Sequence, residues 1–201
     1  MSAVAVRLAI SILTLGLLGC AHVDDVQATT IQPRYLRPTP KTRAARPLVL
    51  IYNPTELPDV VELAVPSGFP HASLRGARSL VTEHLRSGLE SLFEHVSVVD
   101  DPAKLPTDAT VGTVHFVEIG LALAPGGNTL VGTLEWSLTL TSPGDPRPLY
   151  TWGERTVGTR EGAGAFGHLD PQPEVQGAIE ASLRTMLKDM DAKGITSSEP
   201  Q

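Results

Sequence analysis

The pattern of apolar and polar residues predicts a domain built from short strands and amphipathic helices. Leu48–Tyr52 is an unbroken apolar run stopped by Asn53 and Pro54, which is typical of a buried strand. Residues 60–65 predict a second strand, and Val96–Val99 predict a third.

Residues 74–93, which lie between the second and third of these strands, predict a helix. Their apolar side chains recur at helical spacing on one stripe, and most of their charged side chains lie off it. Ser73 is the residue type that caps a helix N-terminus. A strand, a helix and a strand in this order are compatible with a right-handed crossover between two parallel strands.

The second half of the chain changes to a period of two. Residues 111–124 predict a long strand, and residues 125–128 provide a turn with the sequence Pro-Gly-Gly-Asn. In the next strand apolar residues alternate with polar ones, which predicts one buried face formed by Leu130, Leu134, Trp136, Leu138 and Leu140. Thr133 and Thr139 are expected to face solvent. After a second Pro-Gly turn, residues 149–159 complete a three-stranded meander.

A second helix is predicted near the end of the chain. Asp170 can cap it and Pro171 falls in its first turn. Its apolar stripe consists of Val175, Ile179, Leu183, Met186 and Met190. The simplest way to cover two amphipathic helices is to pack both on one face of a mostly antiparallel sheet, so the predicted fold class is α+β.

Composition adds mainly exclusions. The chain has 201 residues, 41% of them hydrophobic, which is an ordinary globular composition. The formal net charge is −6, and the basic residues concentrate only within residues 34–46, so nucleic-acid binding is not expected. The single cysteine cannot form an internal disulfide or a cysteine-rich metal site.

This cysteine lies at the end of an apparent export signal. Arg7 precedes an uncharged, mostly apolar run at residues 8–18, which is too short to span a bilayer and is typical of a signal peptide. The run ends in Leu17-Leu18-Gly19-Cys20, which resembles the lipobox of bacterial lipoproteins. The resemblance implies cleavage before Cys20 and acylation of its thiol and new amine. The alternative is a buried amphiphilic helix that contains a cysteine by chance.

The resemblance also implies a location. Two or three acyl chains anchor a protein firmly in a membrane. Ala21 stands where an Asp would imply retention at the inner membrane, so the outer membrane, facing the periplasm, is expected. Residues after Cys20 lack sustained periodicity and contain several prolines, which predicts an extended linker. The predicted organisation is a signal peptide at 1–19, a lipidated N-terminus and flexible tether at 20–46, one α+β domain at 47–193 and a disordered tail at 194–201.

No set of residues predicts a catalytic, cofactor or metal site. Residues 162–167 match G-x-G-x-x-G, but the helix begins only after Asp170 and no strand follows it, so we interpret them as a loop. Asp100 and Asp101 are explained by a turn, and no G-x-S-x-G motif is present. The histidines show no ligand spacing: His22, His71, His84, His95, His115 and His168.

Two aromatic residues allow two interpretations. Tyr150 and Trp152 share one face of a strand by the period of two. Such a pair could stack on a sugar, whereas closing a core is the more common role of aromatic side chains. The second interpretation is favoured.

The order of elements over residues 47–193 resembles that of small outer-membrane lipoproteins, namely the lipopolysaccharide-assembly lipoprotein, the YajG-like lipoproteins and the amino-terminal domain of TolB. The resemblance implies a protein that is not an enzyme and docks onto envelope machines. Together with the anchor and the lack of a site motif, it favours an accessory or assembly factor, without a cofactor, that docks to a membrane protein, a secretion complex or a glycan. One alternative is a lipoprotein hydrolase acting on cell wall or lipid, which would need a concave pocket with convergent polar groups. A substrate-binding protein of a transporter ranks last, because such proteins are usually longer and two-lobed.

Overall fold

A computed structural model describes residues 26–27, 43–64, 73–99, 105–124, 129–161 and 172–195. Several features predicted from the sequence lie outside these residues: the signal peptide, Cys20, Asp100 and Asp101, the loop at 162–167, Asp170 and the tail from residue 196 onward.

The described residues form eight strands and two helices. The strands are β1 (Val26–Gln27), β2 (Leu48–Tyr52), β3 (Val60–Ala64), β4 (Ser73–Arg75), β5 (Val96–Val99), β6 (Thr110–Leu123), β7 (Thr129–Ser142) and β8 (Asp145–Glu161). The helices are α1 (Ala77–Leu89) and α2 (Gln172–Ala192).

The long strand β6 organises one mixed sheet. On one side it pairs with β7, which pairs in turn with β8, and both pairings are antiparallel. On the other side its first half pairs in parallel with β2 and its last residues pair in parallel with β3. Strand β5 lies parallel to β2, with Leu48 opposite Val96. The fold is therefore α+β as predicted, with a large antiparallel meander extended by parallel strands.

The first helix begins later than predicted. Residues 73–75 form β4, in which Leu74 lies opposite Val61 of β3, so Ser73 is a strand residue and not an N-cap. The N-cap is Gly76, with φ of 77°, a left-handed conformation that glycine adopts without steric cost. The apolar pattern alone could not separate β4 from the helix, because Leu74 is buried in either arrangement.

Strand β7 shows the predicted alternation. The five residues of its predicted apolar face are all buried, with Leu138 and Leu140 fully inaccessible to solvent. Thr133 and Thr139, predicted to face solvent, are half-buried. Because β7 lies between β6 and β8, neighbouring strands shield part of its second face.

Two glycines let α2 approach the sheet closely. Gly132 of β7 lies opposite Gly158 of β8. A Cβ at Gly132 would lie 2.6 Å from the carbonyl carbon of Glu174, and one at Gly158 would overlap the carbonyl oxygen of the same residue. The backbone of the first turn of α2 therefore packs directly against the strand backbone at these two glycines, which have no side chain between them and the helix. All five residues of the predicted α2 stripe are buried.

The described residues before Pro47 contact the domain near both ends of the tether predicted at 20–46. Val26–Gln27 pairs in parallel with β4. Ala44 forms an isolated bridge with Phe93, in which its N–H donates to the carbonyl of Leu92 and its carbonyl accepts from Glu94. These bonds join residues before Leu48 to the body of the sheet and to the segment after α1.

Candidate interaction surfaces

The described histidines lie apart from one another. His84 is fully buried in α1, whereas His95 and His115 are exposed. His115 lies 3.4 Å from the Glu56 carboxylate, which also accepts a hydrogen bond from the backbone N–H of Phe116. Among the residues that the structure describes, no three histidine, cysteine, aspartate or glutamate side chains are grouped so that they could hold a metal ion.

His84 has the environment of a structural residue. Its Nδ1–H donates a hydrogen bond of 2.8 Å to the carbonyl of Leu80, which fixes the tautomer. Burial lowers the pKa of His84, and the hydrogen bond to Leu80 and the carboxylates of Glu180 and Glu83 oppose this effect only in part. The imidazole is therefore neutral in the folded protein near pH 7.

Tyr150 and Trp152 close the core, as favoured above. The Trp152 ring lies 4.9 Å from that of Trp136. Tyr150 is buried and its hydroxyl donates to the Asp189 carboxylate over 2.8 Å, which ties β8 to the end of α2. Burial, and then this hydrogen bond, raise the pKa of Tyr150. Lys193 donates to the same carboxylate, so the pKa of Asp189 is lowered.

An apolar cleft lies between α1 and the sheet. It has a volume of about 10 Å³, roughly the space that one water molecule needs, and is lined by Leu50, Tyr52, Thr82, Leu85, Val98, Val114 and Phe116. Binding pockets for small molecules usually measure about 300–1,000 Å³ and contain convergent polar groups. This cleft is smaller, and none of its lining residues is a charged acid or base.

The sheet face with Thr133 and Thr139 carries small polar side chains and one charge cluster. Arg155 of β8 donates to Glu118 of β6 over 3.1 Å and lies 3.6 Å from Glu135 of β7. All three side chains are well exposed to solvent, so the cluster contributes little stability. With one arginine and two glutamates, the cluster keeps one uncompensated negative charge on this face.

The outer edge of β8 is the most conspicuous accessible feature. Within the described part of the chain, this strand of 17 residues is hydrogen-bonded on one side only, to β7. Two of its apolar side chains are exposed, Leu149 by 45% and Val157 by 52%. Pro146 and Pro148 lack the N–H needed to pair, so the edge available for pairing starts after them.

The sequence did not single out this edge. The alternation of residues predicts which side chains are buried, but it carries no signal for which strand ends the sheet. Val157 sits among Arg155, Thr156 and Gly158, where one apolar residue is unremarkable without the pairing order. The exposure of Val157 becomes informative only when the structure shows that no described strand pairs with this edge of β8.

No protein-family model and no curated protein matches the chain. Similar solved structures include a Xanthomonas campestris protein of family DUF330, at 12% identity and a TM-score of 0.48, covering 89% of this chain and 96% of that one. They also include a minor lipoprotein from Acinetobacter baumannii, at 9% identity and a TM-score of 0.37, covering 76% of this chain and 96% of that one. A lipoprotein from Neisseria meningitidis has 11% identity and a TM-score of 0.32, covering 76% of this chain and 100% of that one. These TM-scores are all below 0.5, so the similarities carry no conclusion about function.

Neither of the two helices in the described part is long and apolar enough to cross a membrane.

Proposed function

We propose that the chain is a non-catalytic lipoprotein of the bacterial cell envelope. Its signal peptide is removed before Cys20, acyl chains on Cys20 hold it in the outer membrane, and the domain faces the periplasm, where it docks to an envelope component. The observation that carries this proposal is the sequence Leu17-Leu18-Gly19-Cys20 at the end of an apolar run of signal-peptide length. Only a thiol can form the thioether, and a small residue before it gives the peptidase access.

The geometry of the domain supports a docking role over chemistry. Three buried polar side chains donate hydrogen bonds that stabilise the fold: Trp136 to the hydroxyl of Ser182, Tyr150 to the carboxylate of Asp189 and His84 to the carbonyl of Leu80. The apolar cleft is lined by no acid, base or charged nucleophile. The accessible features are a strand edge and an open sheet face, which are surfaces for a macromolecule.

We further propose that both helices cover the same face of the sheet. Phe116 of β6 lines the cleft beneath Thr82 and Leu85 of α1. It lies opposite Trp136 of β7, and the two rings stack at 6.4 Å. Trp136 in turn contacts α2 through Ser182. This arrangement leaves the face with Arg155 for a partner.

Membrane fractionation tests the anchoring part of the proposal. In cells expressing the full chain, we expect the wild type to sediment with the outer membrane and Cys20→Ser to leave it. Ala21→Asp serves as a matched control for location, since in an enterobacterial host it should move the chain to the inner membrane without removing the anchor. A Cys20→Ser chain that still sediments with the outer membrane would contradict lipid anchoring.

A further inference from the structure

We propose that the free edge of β8 pairs with β8 of a second copy of this chain, antiparallel and centred on Gly153, so that two sheets join into one. This inference rests on the proposed docking role and names a partner for the strand edge, one of the two accessible features that support that role. An edge strand presents unpaired backbone N–H and C=O groups, and natural proteins normally cover, bend or charge such edges. From Tyr150 to Gly158, β8 pairs with β7 without a register shift, contains no proline or lysine, and is rich in residues that favour strands.

The sheet restricts the possible pairings. If two edges join into a continuous sheet by a two-fold axis, side chains that lie opposite one another must share a face. The axis must then pass through a residue and not between two residues. Four positions near the middle of the free stretch are candidates for the axis: Trp152, Gly153, Glu154 and Arg155.

Charge and apolar matching select Gly153. An axis at Glu154 or at Arg155 would place two like charges directly opposite, which is destabilising. An axis at Trp152 would place Arg155 against Leu149. With the axis at Gly153, Arg155 lies opposite Thr151 of the other copy, and no two like charges face each other.

The same register brings the exposed apolar residues together. Val157 of one copy lies opposite Leu149 of the other at both ends of the paired stretch. Leu149 is the extra residue of a β-bulge between the partners of Leu140 and Thr141, so the regular ladder ends there. In a single copy Leu149 is 45% exposed and Val157 is 52% exposed, and in the dimer the two side chains would shield each other from solvent.

On the helix side of the sheet, the proposed pairing places a hydrogen-bond donor, Trp152 of the second copy, beside a buried acceptor, the carboxylate of Glu154. Glu154 Oε2 is shielded from solvent and has no hydrogen-bond donor in the described part of the chain. In the proposed pairing, Glu154 lies opposite Trp152 of the second copy, whose indole N–H can donate a hydrogen bond. The pair shares one face of the joined sheet because both residues are even-numbered positions of β8.

The neighbouring helix leaves room for the second copy. Gly177, Ala181 and Thr185 of α2 are four residues apart and therefore share a flank. Ala181 and Thr185 are exposed, and a Cβ at Gly177 would meet nothing within 4 Å. On the other side of α2, Leu183 and Leu187 pack against α1 at Gly88. When the edges join, flanks with small side chains meet beside the new strand pair.

Cysteine crosslinking in the full chain tests the pairing and its register. In cells expressing Thr151→Cys/Arg155→Cys, positions 151 and 155 of different copies lie directly opposite, within the span of about 4.4–6.8 Å between Cα atoms that a disulfide requires. Within one copy the two positions are separated by four residues, about 13 Å along a strand, so they cannot bond to each other. The two single variants are matched controls. In each of them the cysteines of the two copies are offset by four residues along the paired strands, which is also about 13 Å.

After mild oxidation, the double variant is expected to give a reducible band at twice the mass of the processed monomer. Each single variant is expected to give at least about tenfold less, since its cysteines lie beyond disulfide reach. A double variant without this band, single variants that crosslink equally well, or crosslinks only to a different protein would each overturn the proposal.

A second substitution tests the apolar contact. Val157→Lys in the double-cysteine background is expected to reduce the crosslinked fraction several-fold, because it places a charge against Leu149 of the other copy. Val117→Lys is the matched control: Val117 is 70% exposed and lies at the bulge of β6, away from the β8 edge. An unchanged fraction in Val157→Lys would contradict the register. Fractionation of the same variants reports lipid anchoring separately, so either proposal can fail without the other.

Discussion

The indole N–H of Trp136 donates a hydrogen bond of 2.6 Å to the hydroxyl of Ser182, and both side chains are buried. This bond joins the middle strand of the meander to α2. The same indole packs between the rings of Phe116 and Trp152, at 6.4 and 4.9 Å. Trp136 therefore links three strands and a helix, and its one polar atom has a defined partner.

Removing this bond should destabilise the domain. Ser182→Ala leaves a buried indole N–H without an acceptor, which costs about 1–3 kcal/mol of unfolding free energy. Trp136→Phe should cost more, because it also leaves a cavity in the core. Urea unfolding of both single variants and the double variant measures the coupling between the two side chains.

The exposed Ser97→Ala of β5 is a suitable control for the loss of one hydroxyl. It should change the unfolding free energy by no more than about 0.5 kcal/mol, as is usual for surface substitutions. Purely additive effects of Ser182→Ala and Trp136→Phe would show that the bond contributes nothing of its own.

The glycine pair beneath α2 gives a second prediction. Gly132→Ala places a Cβ 2.6 Å from the Glu174 carbonyl carbon, so α2 must shift away from the sheet. We expect a loss of about 1–3 kcal/mol, typical of overpacking. Gly177→Ala in α2 is the matched control, since a Cβ there meets nothing within 4 Å. It should stabilise the domain by up to about 1 kcal/mol through helix propensity. Equal melting temperatures for the two variants would rule out the close approach.

His84 makes the stability of the domain dependent on pH. Burial lowers its pKa in the folded state, while the unfolded chain has the ordinary value of about 6.5. Between these two values the unfolded state binds more protons, so stability rises with pH across this window and is lost as the pH falls below about 6.5. His84→Leu should flatten this part of the curve of unfolding free energy against pH. A slope that persists in His84→Leu would assign the effect to another group.

Local periodicity predicted the parts of the fold that one element determines. The burial of Leu130, Leu134 and Leu138 follows from a period of two, and the buried stripe of α2 follows from a period of 3.6. Both patterns are properties of consecutive residues within one element, so they can be recognised without knowing which elements pack beside it.

The pairing order could not be predicted in the same way. Strand β6 changes its partner from β2 to β3 along its length, and nothing in its own residues indicates the change. Gly132 and Gly158 are 26 residues apart in sequence, yet both contact the start of α2. Glycine is needed at these two positions only because the helix packs against them, and the strand sequences do not indicate that. The free edge of β8 is likewise a property of the whole sheet. The candidate docking surface therefore required the structure, whereas the proposed lipidation site at Cys20 rests on sequence alone.

Metabolic labelling with a radioactive fatty acid tests the central claim most directly. Cells expressing the full wild-type chain should incorporate the label into this protein and should process it to a shorter form that begins at Cys20. In Cys20→Ser the thiol that accepts the first acyl group is absent, so we expect no label and an accumulation of uncleaved precursor. Equal labelling of Cys20→Ser and the wild type would contradict the account.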